Sequence, residues 1–143
     1  IEVGIKVSFV DTEIFKEIVA ENPELRRQSE DLKNKPPAQT YYERIELGRQ
    51  VDRRMGAKKA AVAAMLGTRL DGFAVKAVHH ATTDDMLVFN ASYLIRRADE
   101  PALFAAIEKL EAEMQGRLTI RYVAPAPPYN FVSMKLDAVP LAA

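Results

Sequence analysis

The chain has 143 residues, 48% of them hydrophobic, and its 20 Lys and Arg balance 20 Asp and Glu. That composition is globular rather than disordered, and a neutral balance supplies no global field toward nucleic acid or an anionic membrane. The absence of cysteine excludes disulfides, zinc-thiolate sites, iron–sulfur clusters and thiol nucleophiles.

Residues 1–10 alternate, with Val3, Ile5, Val7 and Phe9 on one side and Glu2, Gly4, Lys6 and Ser8 on the other, which predicts a half-buried strand. Asp11 or Thr12 offers a helix N-cap, and Ile14, Phe15, Ile18 and Val19 form an apolar stripe behind it. Pro23 interrupts this helix or opens a second one running to about Leu32, and Lys35-Pro36-Pro37 ends the region. A long helix is expected from Tyr41 to Leu70, because Tyr41, Ile45, Val51, Met55, Val62, Leu66 and Leu70 recur near helical spacing. Asp71-Gly72 is a stop and turn signal. A strand from Phe73 to His80, with Phe73, Val75 and Ala77 on one face, is followed by the polar turn Thr82 to Asp85. Met86 to Arg96 is predicted as the next strand, with Leu87, Phe89, Ala91, Tyr93 and Ile95 inward. Asp99 caps a helix over Pro101 to Gln115, Gly116 ends it, and Arg117 to Val123 forms the last strand.

The order is β-α-β-β-α-β with extra helix after the first strand. It predicts an α+β, ferredoxin-like fold with a four-stranded antiparallel sheet in spatial order 4-1-3-2, helices on one face and a Pro-rich C-terminal segment. The length suits one domain over residues 1–143. The chain opens at Ile1 inside a strand pattern, which reads as a fragment or processed product. No apolar run approaches ~18 residues, so no transmembrane helix is expected; with no signal-peptide pattern either, a cytoplasmic setting is the expectation.

Little in the sequence points to catalysis. His79 and His80 are adjacent on a strand and face opposite ways, so they do not chelate one metal together. Asp84-Asp85 fits turn chemistry, and Glu108, Lys109, Glu111 and Glu113 fit a solvated helix face. The glycines match neither a phosphate loop nor a dinucleotide fingerprint, so no cofactor is expected. Arg44 to Lys59 is locally basic, which suits a solvated face with i, i+4 pairs or, alternatively, a docking surface for an acidic protein. The open sheet face should carry Glu2, Lys6, Ser8, Met86, Val88, Asn90, Ser92, Thr119 and Arg121. It holds no aromatic on which a base could stack, which argues against a nucleic-acid partner.

The segment Ala124-Pro125-Ala126-Pro127-Pro128-Tyr129-Asn130-Phe131-Val132 is the most distinctive. Pro125, Pro127 and Pro128 hold the backbone extended, and Tyr129 and Phe131 are large apolar surfaces on that stiff support. Such a segment suits either a lid over its own core or a preorganised contact ridge. Together with the preceding Arg121-Tyr122-Val123 it resembles the C-terminal hallmark of the gas vesicle GvpL/GvpF family, R-Y-x-G-P-W-P-P-Y-x-F-V. Ala124 stands where the family usually has Gly, and Ala126 where it usually has Trp. Ile1 to Val7 is similar to the family's E-x-G-V-K-V strand, Tyr41-Tyr42-Glu43-Arg44 to the start of its long helix, and Met86 to Ile95 to its M-V-L-N-A-A-F-L-V strand.

The resemblance implies a non-enzymatic structural or assembly protein of gas vesicles, the gas-filled buoyancy organelles. Its implied partners are the vesicle shell protein and other gas vesicle accessory proteins, with no membrane partner and a gas vesicle location within the cytoplasm. It also implies that the family's N-terminal domain is absent here. Pro125, Pro127, Pro128, Tyr129 and Phe131 are the candidate framework or contact residues. The competing expectation is a small ligand-binding or hydrolytic ferredoxin-like domain, which needs convergent polar groups in a pocket.

Overall fold

The structure, a computed structural model, describes residues 1–82, 84, 86–127, 130 and 131. Strand β1 (Glu2–Phe9) leads into helices α1 (Asp11–Glu21) and α2 (Pro23–Lys33), then the long helix α3 (Tyr41–Leu70). Strands β2 (Lys76–His79) and β3 (Leu87–Leu94), helix α4 (Glu100–Met114) and strand β4 (Leu118–Val123) complete the order. Among the described residues the strands make one antiparallel sheet in the order β2-β3-β1-β4.

The alternation in β1 decides the layers. Val3, Ile5 and Val7 are fully buried and Phe9 nearly so. Their cross-strand partners on β3 are Tyr93 for Val3, Ala91 for Ile5 and Phe89 for Val7. On β4, Ile5 faces Tyr122 and Val7 faces Ile120. Against this face lie Ile14 and Ile18 of α1, Leu25 of α2, Leu66 and Leu70 of α3, and Leu103, Ile107 and Leu110 of α4. The sets on α1, α3 and α4 repeat at helical spacing, so each of these helices turns one apolar stripe to the sheet or to its neighbour.

The fully buried residues of the long helix, Leu66 and Leu70, lie in its last turns, while Leu47, Met55 and Val62 pack half-buried against the core. At about 1.5 Å per residue its 30 residues span roughly 45 Å. Helix α2 folds back along its first half, where Leu47 and Val51 are half-buried and Tyr41 and Tyr42 are exposed. Arg44 fastens that junction. Its guanidinium donates to the Leu32 carbonyl at 2.6 Å and to Thr40 Oγ1 at 2.9 Å, so it closes the open carbonyl end of α2.

Four local expectations are corrected. Strand β2 starts at Lys76, not Phe73, because Asp71–Phe73 winds into a short 3-10 turn that continues α3. Val75 lies ahead of the strand and is exposed, although its N–H still donates to the Leu94 carbonyl at 2.8 Å. Val88, expected on the open face, is 2% exposed. The β1–β3 register slips between Val7 and Ser8, so Ser8 pairs with Leu87 and Val88 is the extra residue of a bulge. Neither Asp11 nor Thr12 caps α1: the N-cap position is Val10, and Asp11 Oδ1 accepts from the Thr12 N–H inside the first turn. Asp99 does precede α4, but without a side-chain capping bond.

Candidate functional site

The sheet face opposite the helices is polar and partly open. Two rows of cross-strand neighbours build it. One runs from His80, just past the end of β2, through Asn90 and Lys6 to Arg121: Lys6 pairs with Asn90 and with Arg121, and the His80 N–H donates to the Asn90 carbonyl at 2.8 Å. The next row is Val78, Ser92, Gly4, Val123. Between them lies a concavity of about 650 Å³ whose lining includes Gly4, Lys6, His80, Asn90 and Arg121. Its floor is low at Gly4, where an added Cβ would meet nothing within 4 Å.

One end of this face is closed by the C-terminal segment. The Ala126 N–H donates to the Glu2 carbonyl at 2.7 Å. Asn130 does the rest: its backbone N–H and its Nδ2 donate to the two Glu2 carboxylate oxygens at 3.3 Å, and Nδ2 also donates to Ser92 Oγ at 2.9 Å. Ser92 Oγ in turn shares a hydrogen bond of 2.9 Å with His80 Nε2. Glu2 is 4% exposed, so its carboxylate depends on these donors.

The residues singled out in the sequence are spread around this latch. Pro125 and Pro127 are exposed and Phe131 is half-buried, while Pro128 and Tyr129 lie outside the described residues. The anchor is Asn130, the small polar residue between the two aromatics. No local pattern points to it, because its partners are 128 and 38 residues away. The sequence does carry one hint in Glu2: an acid on the first residue of a strand needs donors once that strand end is covered.

The basic stretch Arg44 to Lys59 is neither of the two things expected of it throughout. Arg44 is spent on backbone carbonyls, and Lys59 Nζ donates to the Asp84 carbonyl at 3.3 Å. Lys58 is held by Glu17 at 2.8 Å and by Glu21 at 2.7 Å. Glu17 also receives two parallel bonds from Arg117, at 2.8 and 2.7 Å, so one carboxylate joins α1, α3 and the start of β4. Burial acts to raise the Glu17 carboxyl, but the hydrogen bonds from Lys58 and Arg117 outweigh it and hold the group below its ordinary value. Burial likewise works against the Lys58 ammonium, and its two glutamates win and raise it.

A second polar cluster lies at the end of α3. Tyr93 O–H donates to Asp71, whose other oxygen pairs with His79 Nε2 at 3.2 Å. Burial pushes the Tyr93 phenol up, and the Asp71 carboxylate pushes it further. Tyr122, bonded to Glu100 at 2.9 Å, is raised in the same way, first by burial. Both phenols donate to a carboxylate. Among the described residues no three His, Asp or Glu side chains gather as a metal site, and no helix is long and apolar enough to cross a membrane. A groove of about 360 Å³ between α1, α2 and α3 is mainly apolar, lined by Phe15, Val19, Leu25, Leu32, Leu47 and Val51 among others.

The family model described as gas vesicle synthesis protein GvpL/GvpF matches residues 1–133. The chain belongs to that family. Gas vesicle protein F of Streptomyces sp. is 28% identical over 132 residues, which cover 92% of this chain and 54% of that protein. Gas vesicle protein F of Haloferax mediterranei is 35% identical over 83 residues, covering 58% of this chain and 39% of that one. The crystal structure of GvpF from Anabaena sp. PCC7120 superposes with a TM-score of 0.74 at 19% identity, over 91% of this chain and 52% of that one, a likeness of fold. This GvpL/GvpF chain spans about half the length of such relatives or less.

Proposed function

We propose that the chain takes part in forming gas vesicles through protein–protein contacts, with the vesicle shell protein and other gas vesicle accessory proteins as partners, on vesicles in the cytoplasm. The observation that carries this reading is the family match across residues 1–133. The strand order and the helices on one face support a ferredoxin-like plan for this part of the protein. Pro125 and Pro127, both exposed, and the half-buried Phe131 offer surface to a partner beside the latch, and Pro128 and Tyr129 complete the proposed contact segment. A tagged chain should capture one or more of these proteins from a lysate of vesicle-forming cells. Capture of none of them would overturn the reading.

The competing hydrolytic reading would rest on the Ser92–His80 pair, which has the spacing of a nucleophile and its base. Two features speak against it. Ser92 is 8% exposed and its oxygen already accepts from Asn130, and no carboxylate among the described residues orients His80.

A further inference from the structure

We infer that the concavity on the open sheet face is a docking site for an acidic peptide segment of a partner protein, whose carboxylates are received by Lys6 and Arg121 above Gly4. The inference rests on the proposed contact function and adds where and by what chemistry the contact is made.

Charge is the first argument. Lys6 and Arg121 are directly opposite each other on neighbouring strands, and both are exposed. Like charges so placed repel and weaken the pairing. Lys58, Arg69 and Arg117 are each paired with a glutamate. Among the described residues neither Lys6 nor Arg121 has an acidic side chain within 4 Å, and no Asp or Glu lines the concavity. Glu2, the acid on the same face, is taken by Asn130. A carboxylate placed between the two cations would relieve the repulsion and accept charge-assisted hydrogen bonds from both.

The second argument is Gly4. It sits mid-strand in a central strand, where glycine forgoes side-chain packing and costs backbone entropy. Its φ is not positive and a Cβ would meet nothing within 4 Å, so nothing in the described chain calls for glycine there. A glycine there leaves room for the close approach of another backbone or ligand.

The shape selects the occupant. The lining has no Phe, Tyr or Trp on which bases could stack, which disfavours single-stranded nucleic acid. The floor is broad and open, and exposed Val123 lies one residue pair from the cations, so apolar and cationic contacts alternate as they do for side chains of an extended peptide.

The probe is a short fluorescein-labelled Asp/Glu-rich peptide and its Asn/Gln counterpart, titrated with the full chain by anisotropy. The acidic peptide should bind saturably and weaken with salt, and the neutral one should not bind. Lys6→Ala with Arg121→Ala should weaken the acidic peptide at least about tenfold. Gly4→Thr should weaken it similarly while the melting temperature stays level or rises, because threonine suits a strand. Equal binding by wild type and both variants overturns the site. So does tight displacement by inorganic phosphate or citrate, preference for a single-stranded RNA, or self-association that the variants abolish, which would assign the face to a free anion, to nucleic acid or to a second copy. The pull-down separates the two proposals. If wild type and variants capture gas vesicle proteins equally, the site falls and the contact function stands. If wild type captures none yet binds the acidic peptide at Lys6 and Arg121, the contact function falls and the site stands.

Discussion

The two faces of the sheet are made by alternate residues of the same strands, yet they are finished by different physics. On the helix side, Val3, Ile5, Val7, Phe89 and Tyr93 are sealed by four helices, and the charges at the rim of that layer are matched one to another. On the open side, a buried carboxylate depends on one asparagine, and two cations stand opposite each other unmatched. Burial has been optimised on one face and left incomplete on the other. A monomer gains nothing in stability from Lys6 facing Arg121, so the second face is where a contact with something else has room to be favourable.

Substitutions at four positions would break or sharpen that contrast. Ile5→Ala, on the sealed side, should cost about 3 kcal/mol in urea unfolding, since it leaves a cavity at a fully buried position. A loss no larger than that of a surface change would mean the two faces do not differ. Glu17→Ala should cost about 2 kcal/mol, less than a fully buried ion pair because the Glu17 and Arg117 side chains are 21% and 41% exposed. Its pH signature is specific. The Glu17 carboxyl is held below its ordinary 4.5, so the clamp contributes fully above about 4.5 and is lost as pH falls through the lower folded value. The stability of Glu17→Gln should therefore fall less steeply in that acid range than that of wild type; parallel curves would remove the clamp from the account.

The open face supplies the smaller effects. Asn130→Ala should cost about 1 kcal/mol and speed hydrogen exchange at the Ala126 amide, because Glu2 then loses its side-chain donor. Unchanged exchange there would mean the latch does not hold the segment. Lys6→Ala should shift stability by no more than about 0.5 kcal/mol in either direction. A clear destabilisation would reveal a structural partner for that ammonium.

These contrasts also explain what could be seen in the sequence. The bounds of α3 follow from helical spacing enclosed between Pro36-Pro37 and Asp71-Gly72, all of it local. The parity of β1 is equally local, and it assigned the sealed face correctly. The errors and omissions share another cause. Phe73 fits a strand pattern, but the turn after α3 captured it. Val88 fits the open face, but a bulge turned it inward. The hub at Glu17 joins residues 41 and 100 positions away, and the latch joins residues 130 and 2. No periodicity records a partner at such distances. The Pro-aromatic segment drew notice for its stiff residues, while the bond that holds it belongs to the asparagine among them.

The central place of β1 has a consequence for how the protein is made. It is the first strand of this sheet to leave the ribosome, but among the described residues it pairs only with β3 and β4, so Val3 finds Tyr93 and Gly4 finds Val123. Until most of the chain has been synthesised, this apolar strand has no neighbour in the sheet, and closing such long loops is slow. Helices α1 to α3 follow it directly in the chain and can cover it during that interval. Translation speed and holding chaperones should thus govern the yield of folded chain more than its final stability does.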